Sequence, residues 1–174
     1  FEYITIIILF SLFKLLGYRI ASELGYFLGK TFGPLFRSKK IITNNLNKFD
    51  SSLTSEKIKK ISQEMWGNYG RILSEYPFIS NFRKGDLDKY IKIENVERLE
   101  EVKKGKPVVF VSAHFSNFEL MAMAIERAGI NLSAIYRPLN NKMVNSIMEP
   151  LRRKYICKKQ IKKGLNGVRE ALKY

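Results

Sequence analysis

Apolar residues dominate positions 3–16, YITIIILFSLFKLL, where Lys14 is the single charge. A bilayer span needs about 20 such residues, so a run of this length predicts an interfacial helix, a core helix or the centre of a signal peptide. A secretory signal would put basic residues first and a small-residue cleavage site after; here Phe1 and Glu2 lead and Gly17, Tyr18 and Arg19 follow. The chain opens on Phe rather than Met, so the apolar run is expected to extend further upstream. Residues 20–36 continue with Ala, Gly and aromatics, and then Arg37, Lys39 and Lys40 arrive together. Apolar chain followed by a basic cluster is the order expected of a segment that dips into a bilayer while its flank touches headgroups. Residues 1–48 are therefore read as a membrane-associated helical segment, against the alternative of a buried first helix.

Residues 54–76 predict one long helix. Thr54 or Ser55 serves as N-cap, Ile58, Ile61, Met65, Tyr69, Ile72 and Leu73 form one stripe, and Pro77 ends it. Gly67 and Gly70 weaken its middle and point to a close contact or a kink. From residue 89 the pattern changes. Tyr90, Ile91 and Ile93 predict a short strand and residues 96–104 a short helix closed by Gly105. The apolar run 107–113 predicts a strand buried on both faces. Residues 118–128 read as a helix ended by Gly129, residues 132–136 as a second strand, and residues 142–155 as a helix that Pro150 must break or kink. A last helix follows Gly164. Alternation of strand and helix predicts an α/β fold over residues 49–174, a mostly parallel sheet with flanking helices. No strand follows the last helix, so the sheet is expected to be incomplete at its C-terminal side.

Composition adds limits. With 174 residues, 45% of them apolar and one Cys, the chain suits one globular unit and excludes disorder, a disulfide framework or a multi-cysteine zinc site. Its 31 basic and 16 acidic residues leave a net charge of +15, which calls for an anionic partner: nucleic acid, an anionic membrane or a phosphorylated substrate. Residues 150–174 hold nine basic residues and one acidic, a net +8. That stretch suits a solvated helix face with a charged tail, or anionic lipid, where each nearby cation contributes roughly 1 kcal/mol. No aromatic-rich RNA motif accompanies it among residues 89–174.

His114 is the one imidazole in the chain. It follows the strand predicted at 107–113, at the carboxyl edge where α/β sheets gather ligands, and Glu119 lies in the first turn of the next helix. A carboxylate on one ring nitrogen fixes the tautomer and leaves the other as a base, which can take a proton from a substrate hydroxyl. Backbone N–H groups near Ser116 and Asn117 suit a developing oxyanion, and Arg137, after the second strand, suits a phosphate. The plainer reading makes Ser116-Asn-Phe-Glu119 a capping box and Arg137 a surface cation. Cys157 lies among basic residues that would lower its pKa, but without a second His a cysteine protease is not expected.

The block VVFVSAHFSNFE, residues 108–119, resembles the H-x4-D/E block of the glycerolipid acyltransferase superfamily. More narrowly it is similar to the bacterial lipid A biosynthesis (lauroyl/myristoyl) acyltransferases, whose block usually reads His-x-Gly-Asn-Trp-Glu; Ser116 stands for the Gly and Phe118 for the Trp. Ala134-Ile-Tyr-Arg-Pro138 with Asn140 resembles that family's second block, and the stretch from Arg152 and Arg153 through Arg169 looks like its continuation. The N-terminal apolar segment, its basic flank and Asn44-Asn-Leu46 fit as well. The resemblance implies transfer of a fatty acyl group from acyl carrier protein to a hydroxyl of a lipid A precursor, at the cytoplasmic face of the bacterial inner membrane. It implies His114 as general base, Glu119 as its orienting partner and Arg137 as a phosphate or donor contact. No metal and no cofactor are expected beyond acyl carrier protein or coenzyme A bearing the donor, and no nucleic acid. Two alternatives stay open: an acyltransferase for another phosphorylated lipid, such as a lysophospholipid or a phosphoinositide mannoside, and a non-catalytic basic protein of membrane surfaces or RNA.

Overall fold

The computed structural model describes residues 2–36, 38–103, 105 and 107–173. It is mostly helical, with one small parallel sheet, and divides into two compact units, Ile7–Pro77 and Phe1–Ile6 with Phe78–Tyr174.

The first unit is built on helices. α1 (Glu2–Leu16), whose residues 2–6 group with the second unit, and α2 (Tyr18–Phe32) are separated at Gly17, and α3 (Lys39–Phe49) and α4 (Ser55–Glu75) follow. At 15 residues α1 is about 22 Å long, short of a hydrocarbon core of about 30 Å. Among the described residues no helix is long and apolar enough to cross a membrane. Its Ile4, Ile8, Leu12 and Leu15 are nonetheless exposed. α4 begins as expected, with the Thr54 hydroxyl accepting from Lys57 N–H. Its two glycines mark a close contact rather than a kink. A Cβ at Gly70 would run into the Gly25 carbonyl, one at Gly29 into that of Trp66, and one at Gly67 would lie 2.5 Å from the Tyr26 ring. α2 and α4 thus meet backbone to backbone, as small residues at four-residue spacing allow. Polar pairs flank the contact: Ser22 donates to the buried Glu75 at 2.8 Å, Arg71 pairs with Glu23 at 2.9 Å, and Lys30 with Glu64 at 2.8 Å. Gly70→Ala is expected to destabilise the chain by about 1–3 kcal/mol, although alanine favours helix, because the contact has no room for a methyl. Chemical denaturation measures this, and a raised midpoint would mean that the helices do not touch there.

The second unit holds α5 (Ile79–Lys84), α6 (Glu97–Val102), α7 (Glu119–Arg127), β1 (Ser133–Tyr136), α8 (Lys142–Leu151), β2 (Lys159–Lys162) and α9 (Leu165–Ala171). β1 and β2 run parallel with Ser133 opposite Lys159 and Tyr136 opposite Lys162, joined by a crossover through α8. Phe82, Met123, Ile125, Val144, Met148, Ile156 and Ile161 form the core. Arg127 fastens α7 to the α5 side by a two-pronged pair with Asp88, both bonds at 2.6 Å.

The expected α/β architecture holds in reduced form: helices dominate and the sheet has two strands. The run 107–113 has no regular secondary structure and no ladder, and Val109 and Val111 are 87% and 89% exposed rather than buried. Apolar composition makes a segment eligible for a sheet; neighbouring strands bury it, and among the described residues this run has none. The strand expected around Tyr90 and Ile93 is likewise a turn at Asp88–Tyr90 followed by irregular chain, both side chains exposed. β2, Lys-Gln-Ile-Lys, went unforeseen because only Ile161 marks it as apolar. Pro150 acts later than expected. It sits inside α8, offers no N–H to the Ser146 carbonyl, and is followed by a wide, π-helical turn, Arg152–Ile156, closed by Cys157 N–H on the Arg152 carbonyl at 2.9 Å.

Candidate active site

The loop into α7 positions His114, Ser116 and Asn117. Ser116 has φ +46°, a left-handed conformation that glycine adopts more readily, at the position where the resembling family carries Gly. The bend at Ser116 and Asn117 leads the irregular run into the helix. α7 starts at Glu119 without a side-chain cap, so Ser116 and Glu119 do not form the capping box that their spacing permits. His114 is exposed, and its ring lies against Phe118, with centroids 4.3 Å apart and planes inclined by 58°.

Glu119 points elsewhere. Its side chain is 9% exposed, and its Oε1 accepts from Arg152 Nε at 2.8 Å and Nη2 at 2.6 Å. Arg152, at the head of the wide turn, is itself largely buried. Two charge-assisted bonds to one oxygen hold the carboxylate in place. The structure therefore brings Glu119 to Arg152, and His114 to Phe118; the imidazole and the carboxylate share one loop and helix start without a hydrogen bond between them. Sequence reasoning gave Arg152 no role. Adjacent arginines after a proline are a weak signal, since nothing in their spacing tells which one turns inward.

Arg137 follows β1, is exposed, and donates to Asn140 Oδ1 at 3.3 Å. It stands at the carboxyl end of the strand, as expected, with its guanidinium turned to solvent. Cys157 corrects the expectation of an activated thiol. It is fully buried and its Sγ lies 3.3 Å from the Leu132 carbonyl; burial first, then the Glu126 charge, push its pKa up to about 11. From an ordinary value of 9.0, this leaves the thiol neutral in the fold, so stability is full below pH 9 and is lost as pH rises through about 11. Alkylation by iodoacetamide at pH 8 is expected to be at least about 100-fold slower in the folded than in the unfolded chain, and equal rates would refute the burial. Among the described residues no three His, Cys, Asp or Glu side chains gather as metal ligands.

Comparison with known proteins fits this frame. The chain is an acyltransferase by family: a sequence profile of that class matches residues 1–173. It belongs to the bacterial lipid A biosynthesis acyltransferase family. Curated proteins and solved structures give no match.

Proposed function

We propose that this chain transfers a fatty acyl group from an acyl-carrier thioester to a hydroxyl of a lipid A precursor, at the cytoplasmic face of the bacterial inner membrane. The observation that carries the reading is the buried Glu119–Arg152 pair at the start of α7, five residues from the exposed His114, in a chain of this family. A carboxylate has about four acceptor sites, so Arg152 leaves Glu119 capacity for an imidazole N–H, and catalytic hydrogen bonds commonly tighten only when substrate is bound.

In the proposed reaction a turn of the His114 ring away from Phe118 gives one N–H to Glu119. The other nitrogen takes the proton of the acceptor hydroxyl, whose oxygen attacks the thioester carbonyl carbon. Ser116 and Asn117 N–H groups face the oxyanion of the tetrahedral intermediate. Its collapse breaks the carbon–sulfur bond, and the departing thiolate takes the proton back from the imidazolium. Arg137 contacts phosphate on acceptor or donor. Membrane attachment is supported by the exposed Ile4, Ile8, Leu12 and Leu15 of α1 and by Leu35 and Phe36, exposed just ahead of Lys39 and Lys40.

The test gives the full chain labelled acyl carrier protein or acyl coenzyme A and separate acceptors: a lipid A precursor, a lysophospholipid and a phosphoinositide mannoside. Transfer from the carrier protein to the lipid A precursor is the expected result. Transfer to another acceptor alone would replace the substrate, and no transfer to any would overturn the enzymatic reading.

A further inference from the structure

A basic hollow runs along β2 and past its carboxyl end into the start of α9. It measures about 680 Å³ and is walled by Arg153, Lys159, Gln160, Lys162, Lys163 and Glu170 among others. We infer that this hollow is a binding site for a phosphomonoester, taking the phosphorylated headgroup of the acceptor next to the candidate active site.

Three observations carry it. The first is position: Lys163 N–H donates to the Tyr136 carbonyl at 2.9 Å, carrying the parallel pairing one residue past β2, so the carboxyl ends of β1 and β2 lie side by side. Polar ligands of α/β folds collect at that edge.

The second is charge. Four cations face one carboxylate in the lining. Lys159 is taken by Glu170, and Arg153 by Glu149 at 3.0 Å, while Lys162 and Lys163 have no carboxylate within ion-pair distance among the described residues. Both are exposed and available to an anion, and a phosphomonoester brings nearly two negative charges at neutral pH, whereas a phosphodiester or a carboxylate brings one. The volume falls within the usual range of about 300–1,000 Å³ for ligand sites, enough for the phosphate and the polar group that bears it.

The third is connection. Arg153 lines the hollow and its chain neighbour Arg152 clamps Glu119, so the same turn serves both places. The wide turn sets these two consecutive cations against different neighbours. The role in acyl transfer rests on the proposed function; the binding site itself does not.

The experiment uses the full chain, Lys162→Ala/Lys163→Ala, and a charge-matched control, Lys57→Ala/Lys59→Ala, on exposed positions of α4. Flotation is measured with vesicles containing phosphatidic acid, a phosphomonoester, or phosphatidylglycerol, a phosphodiester, at matched surface charge. The wild-type chain is expected to bind the first about tenfold more tightly. Lys162→Ala/Lys163→Ala removes that preference and the control keeps it. Glycerol 3-phosphate competing at millimolar concentration identifies the headgroup alone as sufficient; competition by the lipid form only identifies a membrane-held phosphate. Both outcomes support the site.

No preference in the wild-type chain, or equal loss in both variants, would overturn it as bulk electrostatics. In the transfer assay the lysine variant is expected to raise KM about tenfold for a phosphorylated acceptor and not for its dephosphorylated form. A chain without transfer activity would end the enzymatic proposal, while the vesicle measurements would still decide the hollow.

Discussion

His114→Ala is expected to lower acyl transfer by about 10²–10⁴-fold while the chain keeps its fold and the proposed membrane attachment is left unchanged. The ring is exposed and its contact is with Phe118, so its removal opens no core cavity and costs little stability. The loss should fall on kcat, because a general base acts on the proton in flight rather than on substrate binding. Single-turnover assays with labelled acyl carrier protein measure it, with circular dichroism and vesicle flotation as controls. Full transfer by the variant would remove the imidazole from the mechanism. His114→Gln should be as inactive, since an amide retains hydrogen bonding but not basicity.

The second large effect concerns stability. Arg152→Met leaves the Glu119 carboxylate largely buried with its guanidinium gone. Breaking a buried pair from one side costs about 3–5 kcal/mol, a substantial share of the 5–15 kcal/mol that holds a typical domain together. Glu119→Gln should cost less, since the amide oxygen still accepts from Arg152. The double variant Glu119→Gln/Arg152→Met should be more stable than the sum of the single effects predicts, by about 1–3 kcal/mol, because it strands no charge. Urea denaturation of the four proteins closes this cycle. Additive effects would show that the two side chains do not act as a pair. Transfer should fall in both single variants, through the lost carboxylate in one and its lost anchorage in the other.

How far these features could be read in the chain varied with the range of the interaction involved. Elements set by local chemistry were legible: the Thr54 cap, the span of α4, and the Gly129 stop after α7, where φ is +83°. The apolar stripe expected along α4 was not: Ile58 and Ile72 are buried, but Ile61, Tyr69 and Leu73 are exposed, because the helix turns its glycine face, not that stripe, to α2. The glycines of α4 announced a close contact, and α2 carries their counterparts. Long-range pairing was not legible. Residues 107–113 have strand composition without ladder partners, whereas β2 has a ladder with hardly any composition to announce it. Of the candidate residues, His114 and Glu119 lie in the loop and helix start and Arg137 at the end of β1, where their places in the chain put them. The Glu119–Arg152 pair spans 33 residues and depends on how Pro150 unsettles the end of a helix, which no local pattern encodes.

That proline has a further consequence. The five-residue turn behind it advances the backbone by one position more than an ordinary helical turn, and neighbouring residues in a helix point about 100° apart. Losing or gaining a single amino acid between 150 and 156 would rotate the paired cations by that angle, turning Arg153 toward Glu119 or carrying both away. A substitution in this stretch changes one contact at a time, whereas a change of length alters the carboxylate's anchor and the cationic wall together.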